Sequence, residues 1–422
     1  MPTEPRWTRR RFLHAAGLAA GASLLRPPSL RAFASAPGAA PLTTLRLGLL
    51  SSADVRASAS AAAGVALGVK EAARTAALFG RDVRLLPAAS VEASVPDRAR
   101  RLVDDGADVL LSALSDADTA ALADAADSLR VPLLNLTASG DALRGAACRR
   151  FAFHVAPSRA MRVDAAARWL ATVRNAKQVF LVVADGPEWE AAAARLTRAL
   201  AALGSPPAGR TGIDTDNGGS AKVRGRLPHG VDAVVVLADA DALGSLASRW
   251  LEWSPLAAPM LHLDEVPADA LGDRGSAAAT LHSVHVASWV GTLERFGADQ
   301  LNQRFRQASG RAMDEAAWAG WVAVKAAWDA AARGQAQDAA GIAAYLSSDR
   351  AEIDGQKGWP LSFRPWDHQL RQPMYVVGRG SAGGGLEGEL PGVERGEGAS
   401  SAAALDALGE SAAETACRWG SR

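Results

Sequence analysis

The sequence predicts an α/β protein that contains two similar parallel sheets. From Thr44 onward, short apolar runs alternate with longer runs of helical periodicity, and the connections between them are short. This alternation is typical of parallel strands whose sheet is covered by helices on both faces. After residue 158 the series begins again, which indicates a second unit of the same kind. The chain has 422 residues, of which 49% are hydrophobic, so it can bury two cores of ordinary domain size.

The first series opens with a buried strand at 45–50 and an alanine-rich helix at 58–79, and Gly80 is its C-terminal signal. The rest of this series comprises strands at 83–86, 109–112 and 132–136 and helices at 97–105 and 117–129. The second series comprises helices at 159–174, 188–203 and 240–251 and strands at 178–183, 231–237 and 260–263.

The last third of the chain is less regular. Helices are predicted at 299–307 and 315–332, and a hairpin is predicted between 361–364 and 373–377. From Gly378 the chain is rich in Gly, Ser, Ala and Glu, a composition typical of mobile segments. Within it only residues 403–417 have a helical pattern, and we expect any helix there to be short and to return to the body of the protein.

An export signal is predicted at the N-terminus. Arginines at 9–11 precede an uncharged run at 15–25 and an A-x-A cleavage pattern. The arginine pair followed by Phe-Leu indicates the twin-arginine route. We expect cleavage after Ala34, so that residues 1–34 are removed and the mature protein is periplasmic. A membrane anchor is the alternative, but the apolar run is shorter than the ~20 residues that a spanning helix needs.

The charge balance argues against nucleic acid and anionic membranes as partners. The chain has 46 basic and 45 acidic residues, and removal of the signal leaves a net charge of about −4. No basic cluster remains that could bind phosphates. The two cysteines, Cys148 and Cys417, suggest one disulfide in an oxidising compartment, and a pair of unpaired thiols is the alternative.

Motifs for catalysis are absent. The sequence contains no Gly-x-Ser-x-Gly, His-Glu-x-x-His, Cys-x-x-Cys or P-loop pattern. His282 and His285 lie in a β-like stretch, where a spacing of three directs side chains to opposite faces. We therefore assign no catalytic residue, no metal ligand and no cofactor, and we predict that the protein is not an enzyme. Trp318, Trp321 and Trp328 share one helix face, which we interpret as core packing; a ligand box is the alternative.

Polar residues follow the strands of both series, where open α/β sheets bind their ligands. In the first series the hydroxyls of Ser115, Thr137 and Ser139 suit an anionic or polar ligand near helix N-termini. In the second series the carboxylates of Asp239 and Asp264 suit a cation or hydroxyl donors. As a set they predict a ligand site, whereas helix capping is the alternative for each single residue.

Three segments carry a resemblance to a known family. Residues 64–72 read Gly-Val-Ala-Leu-Gly-Val-Lys-Glu-Ala, residues 131–139 read Val-Pro-Leu-Leu-Asn-Leu-Thr-Ala-Ser, and residues 153–158 read Phe-His-Val-Ala-Pro-Ser. They resemble the first helix, a strand with its loop, and the first crossover of type I periplasmic binding proteins. The similarity is to the branched-chain amino acid subgroup that serves ABC importers, and it covers residues 44–378.

A further segment narrows the resemblance. Residues 353–373 read Ile-Asp-Gly-Gln-Lys-Gly-Trp-Pro-Leu-Ser-Phe-Arg-Pro-Trp-Asp-His-Gln-Leu-Arg-Gln-Pro. Together with Cys148-Arg149-Arg150 and residues 405–417, they are similar to a branch found with alcohol dehydrogenase systems that depend on pyrroloquinoline quinone (PQQ). This similarity implies an importer linked to quinoprotein alcohol oxidation.

The resemblance implies two Rossmann-like lobes joined by three crossovers, expected near 153–158, 281–289 and 352–363. It places 44–156 and 285–350 in lobe 1, 157–284 and 351–378 in lobe 2, and 379–422 in a flexible Gly/Ser-rich tail. The ligand loops that it implies hold Ser115, Thr137, Ser139, Trp189, Asp239, and Asp264 or Glu265. The subgroup has a Gly/Ser-rich first loop and tyrosines in the second lobe, whereas here the first loop is 113–116 and the only tyrosines, Tyr345 and Tyr375, lie away from the ligand loops. These departures argue against branched-chain amino acids as the cargo, and Trp189 would replace a tyrosine as the stacking wall.

We therefore expect an exported solute-binding protein that closes on a small polar ligand and delivers it to an ABC permease in the membrane. The first alternative is a ligand sensor or accessory protein of a periplasmic quinoprotein dehydrogenase system that has no transport role. The second is a periplasmic enzyme, which would need a titratable cluster that the sequence does not show.

Overall fold

The computed structural model of the protein describes residues 42–87, 93–215, 221–225, 227–253, 259–264, 283–379, 385–391 and 401–419. The predicted export signal at 1–34 lies outside these ranges. None of the helices described is long and apolar enough to cross a membrane.

The elements alternate as the sequence predicts. The first part of the chain contains β1 (Thr44–Ser51), α1 (Ser58–Ala77), β2 (Asp82–Leu85), α2 (Val95–Asp104), β3 (Val109–Ala113), α3 (Asp116–Leu129), β4 (Leu133–Asn135) and β5 (Ala152–His154). The middle part contains α4 (Arg159–Arg168), β6 (Val179–Val183), α5 (Pro187–Ala202), β7 (Gly209–Thr215), β8 (Ala221–Val223), β9 (Ala233–Leu237), α6 (Ala240–Trp253), β10 (Met260–His262) and β11 (Ser283–Ala287). The last part contains α7 (Ala298–Ser309), α8 (Glu315–Ala332), α9 (Ala339–Leu346), β12 (Ile353–Asp354), β13 (Pro360–Phe363), β14 (Leu370–Arg371), β15 (Met374–Arg379), β16 (Gly385–Leu390) and α10 (Ser401–Leu405).

The first lobe is built on a parallel sheet with the strand order β2-β1-β3-β4-β5. Its strands are apolar on both faces. Leu110 packs in one cluster with Leu50 and Leu133, whereas the next residue, Leu111, packs in another cluster with Leu134. Because successive side chains of a strand point to opposite faces, continuous apolar runs of this kind indicate a sheet that is buried on both sides.

The second lobe is built on a sheet with the order β16-β15-β11-β10-β9-β6-β7-β8. The five strands from β11 to β7 in that order pair in parallel, and β8, β15 and β16 pair antiparallel. Leu181 and Val182 of β6 again pack in different clusters. The predicted α/β fold with two parallel sheets is therefore confirmed.

The chain passes between the lobes at three places in the described ranges. β5 leads to α4 through residues 155–158, and β11 is followed by Trp289, which packs in the core of the first lobe. The third crossing lies between β14 and β15 at residues 372–373, later than the expected 352–363. The reason is that β12, β13 and β14 form a small antiparallel sheet whose Ile353 and Leu361 pack in the first-lobe core.

This small sheet changes two expectations. Residues 351–371, which the resemblance places in lobe 2, pack on the first lobe through β12–β14. The predicted hairpin of 361–364 with 373–377 is wrong, because β13 pairs with β14. β15 instead enters the second sheet, where it pairs with β11 and β16.

Helices α1 and α8 pack against each other with very little space between their backbones. A Cβ atom at Gly64 would lie 1.8 Å from the carbonyl oxygen of Ala317, and one at Gly320 would lie 2.3 Å from that of Ala61. The glycines therefore allow a close approach that a larger residue would prevent. The three tryptophans of α8 are buried in the same core, as the sequence predicts.

The C-terminal segment 401–419 lies across both lobes. Its Leu405 packs in the first-lobe core, and its Leu408 packs in the second-lobe core. The backbone N–H of Gly409 donates a hydrogen bond of 2.7 Å to Asp164 Oδ2 on α4. We expected residues 379–422 to be a flexible tail, but β16 extends the second sheet and 401–419 is held by these contacts. The flexible composition applies to the segment as a whole, but Leu405 and Leu408 fix the part that the helical pattern at 403–417 had singled out.

A disulfide joins this segment to the first lobe. Cys148 and Cys417 are bonded, with their Cα atoms 5.6 Å apart, so the alternative of unpaired thiols does not hold. The bond links residues 269 positions apart in the sequence. A cross-link over so long a loop restricts the unfolded chain strongly.

The α1–α8 contact predicts the cost of a single added methyl group. Gly64→Ala is expected to lower the free energy of unfolding by about 1–3 kcal/mol, because the new Cβ meets a backbone carbonyl that cannot rotate away. Urea unfolding measures the change. Gly385→Ala is the matched control, because a Cβ there meets nothing within 4 Å. Equal stability of the two variants would contradict the packing described.

The disulfide predicts a second stability change. Replacing Cys148 and Cys417 together by serine is expected to cost ~2–5 kcal/mol of unfolding free energy, because the unfolded chain regains the freedom of the open loop. Urea unfolding of the double variant and limited proteolysis of segment 401–419 report the effect. If the unfolding free energy and the resistance of segment 401–419 to proteolysis were both unchanged, the disulfide would not contribute to holding the segment on the first lobe.

Candidate functional site

The ligand loops predicted for the first lobe lie side by side. Asn135, at the end of β4, is fully buried, and its Oδ1 accepts hydrogen bonds from the N–H groups of Thr137 and Ala138 at 3.3 and 2.9 Å. The Thr137 hydroxyl donates to the carbonyl oxygen of Leu114 at 2.9 Å, which joins this loop to the one after β3. A buried amide at the strand end therefore shapes the loop that carries Thr137 and Ser139.

The three hydroxyls of these loops are used differently. Ser115 is the N-cap of α3, and its Oγ accepts from the N–H of Asp118 at 3.1 Å. Thr137 donates within the loop and keeps its lone pairs available. The Ser139 side chain makes no hydrogen bond to any described residue and is half-buried. The capping alternative thus describes the contacts of Ser115, whereas Ser139 retains a free hydroxyl.

The predicted residues of the second lobe follow three adjacent strands. Trp189, Asp239 and Asp264 come after β6, β9 and β10, which are neighbours in the sheet. Asp239 accepts a hydrogen bond of 2.8 Å from the N–H of Ala242 and so caps α6. Trp189 is 6% exposed. Glu265 lies outside the described residues.

Arg159, the first residue of α4, connects the loops of the two lobes. Its backbone N–H donates to the carbonyl oxygen of Ser139 at 2.9 Å. Its guanidinium carbon lies 4.8 Å from the centre of the Trp189 ring, a cation–π distance. No carboxylate among the described residues pairs with this half-buried cation. Arg159 was not predicted as a site residue, because its only signal in the sequence is a basic residue directly after the crossover.

Arg162, one turn further along α4, makes a buried polar contact between the lobes. Its side chain is 5% exposed. Nη1 donates to the carbonyl oxygens of Leu263 at 3.1 Å and Val286 at 2.5 Å, both in the second lobe. Nη2 donates to Glu315 Oε1 at 2.5 Å in the first lobe. Nε lies 3.4 Å from Asp264 Oδ1, so this predicted ligand residue already faces a cation of the protein.

Glu315 is the first residue of α8, where a negative charge is favoured by the helix dipole. Its Oε2 accepts from the N–H and the hydroxyl of Ser288 at 3.0 and 3.3 Å. Burial raises the pKa of Glu315, but Arg162 and the Ser288 hydrogen bonds outweigh burial, so the pKa lies below its ordinary value. The carboxylate is therefore ionised at neutral pH.

A second ion pair links the lobes at the surface. Arg56, just before α1, lies 3.0 Å from Asp241 in the first turn of α6. The two side chains are 55% and 86% exposed. Water screens such a pair, so it adds little stability, and opening of the lobes can break it at low cost.

The junction offers hydroxyls and a guanidinium that no described carboxylate pairs with, and this guanidinium lies against the largely buried ring of Trp189. Such a set can hold a small anion against an apolar wall. Within the described ranges, no three His, Cys, Asp or Glu side chains are arranged to hold a metal ion. A cavity of about 480 Å³ lies between α1 and α8, and none of the predicted ligand residues lines it.

Comparison with known proteins adds to this geometry. Residues 46–384 match the family model described as periplasmic binding protein. No curated protein matches the chain.

Several solved structures have the same fold. A branched chain amino acid ABC transporter periplasmic ligand-binding protein from Burkholderia xenovorans is 17% identical, with a TM-score of 0.67, over 82% of this chain and 95% of that one. The branched-chain amino acid transporter substrate binding protein LivJ from Streptococcus pneumoniae, in complex with isoleucine, is 15% identical, with a TM-score of 0.62, over 82% and 98%. An ABC transporter solute binding protein from R. palustris, in complex with benzoate, is 15% identical, with a TM-score of 0.62, over 89% and 99%. At these identities the likeness shows the fold alone.

The buried pair predicts a pH effect on stability. Folding lowers the pKa of the Glu315 carboxyl below its ordinary value of 4.5. Such a carboxyl stabilises the folded protein at any pH above 4.5, and the stabilisation is lost as the pH falls through the lowered pKa. Glu315→Gln is therefore expected to lower the free energy of unfolding by about 3 kcal/mol at pH 7, because the buried Arg162 cation loses its carboxylate partner. Its unfolding free energy should also depend less on pH below 4.5.

Urea unfolding between pH 7 and pH 3 measures both effects. Glu190→Gln is the matched control, because Glu190 pairs with Arg210 on the surface, with both side chains about half exposed. The control is expected to change stability little. An equal loss in the two variants would contradict the special role of the buried pair.

Proposed function

The chain belongs to the periplasmic binding protein family, and from this premise we propose that it captures a small carboxylic acid between its two lobes and delivers it to an ABC permease. Amino acids fall within this ligand class. The family is consistent with a periplasmic location, and residues 1–34 are the proposed twin-arginine signal that brings the protein there. The protein performs no chemistry on its ligand in this proposal.

The observation that carries the proposal is the unpaired guanidinium of Arg159. The guanidinium stacks on Trp189 of the second lobe, and the backbone N–H of Arg159 donates a hydrogen bond to the carbonyl oxygen of Ser139 in the first lobe. A carboxylate is the natural partner of a guanidinium, because both are planar and can form two parallel hydrogen bonds. The free hydroxyl of Ser139 offers a further donor from the opposite lobe.

The bound ligands of the solved relatives support the same class. LivJ from Streptococcus pneumoniae is in complex with isoleucine, and the protein from R. palustris is in complex with benzoate. Each ligand combines a carboxylate with an apolar group. Trp189 would contact the apolar part here, while Arg159 would contact the carboxylate.

Closure of the lobes would complete the site. The ligand would contact loops on both sides of the junction, so it would favour the closed arrangement over an open one. The exposed pair of Arg56 and Asp241 would form and break with this motion. Ser115, Thr137, Asp239 and Asp264 remain proposed ligand residues at the same junction.

The proposed source of the ligand is quinoprotein alcohol oxidation. The proposal rests on the resemblance of residues 353–373 to the branch found with PQQ-dependent alcohol dehydrogenase systems. A primary alcohol is oxidised first to an aldehyde and then, with addition of water, to a carboxylic acid, which agrees with the ligand class drawn from Arg159. A sensor or accessory protein of such a system would use the same site without a permease.

A thermal-shift panel tests the proposal. The mature protein is heated with amino acids, short and aromatic carboxylic acids, the matching alcohols, and amines. A ligand at 100 times its dissociation constant should stabilise the protein by ~2.7 kcal/mol. We expect stabilisation by one or more carboxylates and none by the alcohol of the same skeleton.

Arg159→Gln identifies the site. It is expected to weaken binding of the carboxylate about tenfold or more, because a charge-assisted hydrogen bond is lost. Arg74→Gln, on an exposed position of α1, removes the same charge and should bind normally. Stabilisation by amines alone, or equal affinity in both variants, would contradict the proposal.

A further inference from the structure

Arg144 is a buried cation that holds the first-lobe ligand loop on both sides of Ser139. It is 2% exposed, and its Nη1 donates to the carbonyl oxygens of Ala138 and Gly140, each at 3.0 Å. The carbonyl oxygen between them, that of Ser139, accepts from the backbone N–H of Arg159 at 2.9 Å. Three successive carbonyl groups of the loop are therefore held, and the backbone from which the Ser139 hydroxyl projects has a fixed orientation.

The same guanidinium reaches two of the segments that connect the lobes. Its Nη2 donates to the carbonyl oxygen of Ala156 at 2.7 Å, in the first crossover. Its Nε donates to Gln369 Oε1 at 2.8 Å, in the segment that leads to the third crossing. Gln369 Nε2 in turn donates to the carbonyl oxygen of Ala156 at 3.1 Å. A single side chain therefore joins the ligand loop to the first crossover and to the approach of the third.

Arg144 is charged, although its hydrogen-bond acceptors are three carbonyl oxygens and one amide oxygen, all of them neutral. Burial lowers its pKa to about 10, while three nearby carboxylates oppose the shift: Asp141, Asp116 and Asp367. The guanidinium is therefore protonated at neutral pH. Burying a charge costs free energy that an apolar side chain of similar size does not, so stability alone does not explain an arginine here. Its planar fork supplies several donors in fixed directions, which the loop and the crossovers require together.

Asn135 and His154 hold the same loop from within the first lobe. Asn135 Nδ2 donates to the carbonyl oxygen of Ala138 at 2.7 Å and to His154 Nδ1 at 3.2 Å. Burial lowers the pKa of His154 well below its ordinary value, so the ring is neutral and accepts at Nδ1. These side-chain bonds shape the loop, whereas those of Arg144 connect its carbonyl groups to the crossovers.

We propose that Arg144 is a positioning residue of the ligand site, which fixes the direction of the Ser139 hydroxyl and couples loop 138–140 to the crossovers. Arg144 is buried and acts through the loop, not by contact with the ligand. Movement of the first crossover during closure is carried to the loop through the guanidinium, so the two move as one unit. This inference rests on the proposed function for the role of Ser139, but the positioning itself is present without a ligand and can be measured without one.

Hydrogen–deuterium exchange of the ligand-free mature protein tests the positioning. Arg144→Lys keeps the charge and removes the planar fork of donors. We expect exchange about tenfold faster in peptides that cover 137–140 and 155–158, because hydrogen bonds to both segments are lost. Arg81→Lys is the matched control, because Arg81 also donates to two backbone carbonyl oxygens, at 2.8 and 3.0 Å, but lies before β2 at the sheet edge opposite to the ligand loops. Exchange of 137–140 that is equal in the two variants would overturn the proposal.

A double-mutant cycle with the ligand found by thermal shift tests the consequence for binding. Arg144→Lys alone should weaken binding about tenfold. Ser139→Ala should weaken binding in the otherwise unchanged protein and have a smaller effect in the Arg144→Lys background, because the hydroxyl is no longer held in place there. Additive losses would overturn the proposal, since a residue that only stabilised the fold would not change the effect of Ser139→Ala. The exchange experiment needs no ligand, so failure of the transport proposal leaves its result valid.

Discussion

The buried guanidinium of Arg162 is the constraint on which the arrangement of the two lobes depends. A cation removed from water must keep its hydrogen bonds, and those of Arg162 come from both lobes: carbonyl groups in the second lobe and the Glu315 carboxylate in the first. Glu315 begins α8, which is packed on α1 through glycines at 64 and 320. The position of the first-lobe helices is therefore linked to that of the second sheet through one side chain.

The crossovers near this junction are held by buried polar groups as well. Arg144 is 2% exposed and donates to Gln369 Oε1 at 2.8 Å, which joins the first lobe to the segment before the third crossing. Lys357 donates to Gln372 Oε1 at 2.8 Å, and Gln372 donates to the carbonyl oxygen of Val155 at 2.8 Å. Burial lowers the pKa of Lys357 well below its ordinary value, although Glu315 and Glu389 oppose the shift. Hinge motion must keep these hydrogen bonds or replace them with bonds to water. We therefore expect the backbone of the crossovers to change over only a few residues when the lobes move.

The fold was readable from the sequence, whereas the organisation of the site was readable only in part. Alternating apolar and helical runs predicted both sheets, because a strand that is buried on both faces is visible in the sequence as a continuous apolar run. Local pattern did not reveal the small sheet before the third crossing, since it depends on contacts with distant residues. Only the helical pattern at 403–417 and the cysteine pair indicated that segment 401–419 is attached. Local pattern placed Ser139 in the loop after β4 and Trp189 after β6, where the structure has them. It did not indicate Arg159 or Arg162. The role of Arg162 depends on partners more than a hundred positions away in the sequence.

Hydrogen–deuterium exchange, measured with and without the ligand found by thermal shift, tests whether the ligand binds between the lobes. We expect the ligand to slow exchange both in the first-lobe loops 114–116 and 137–140 and in the second-lobe segments that begin at 186 and 238. Slower exchange in both lobes would place the ligand at the junction that Arg159 and Arg162 organise. Protection confined to one lobe, or to the α1–α8 cavity alone, would contradict it.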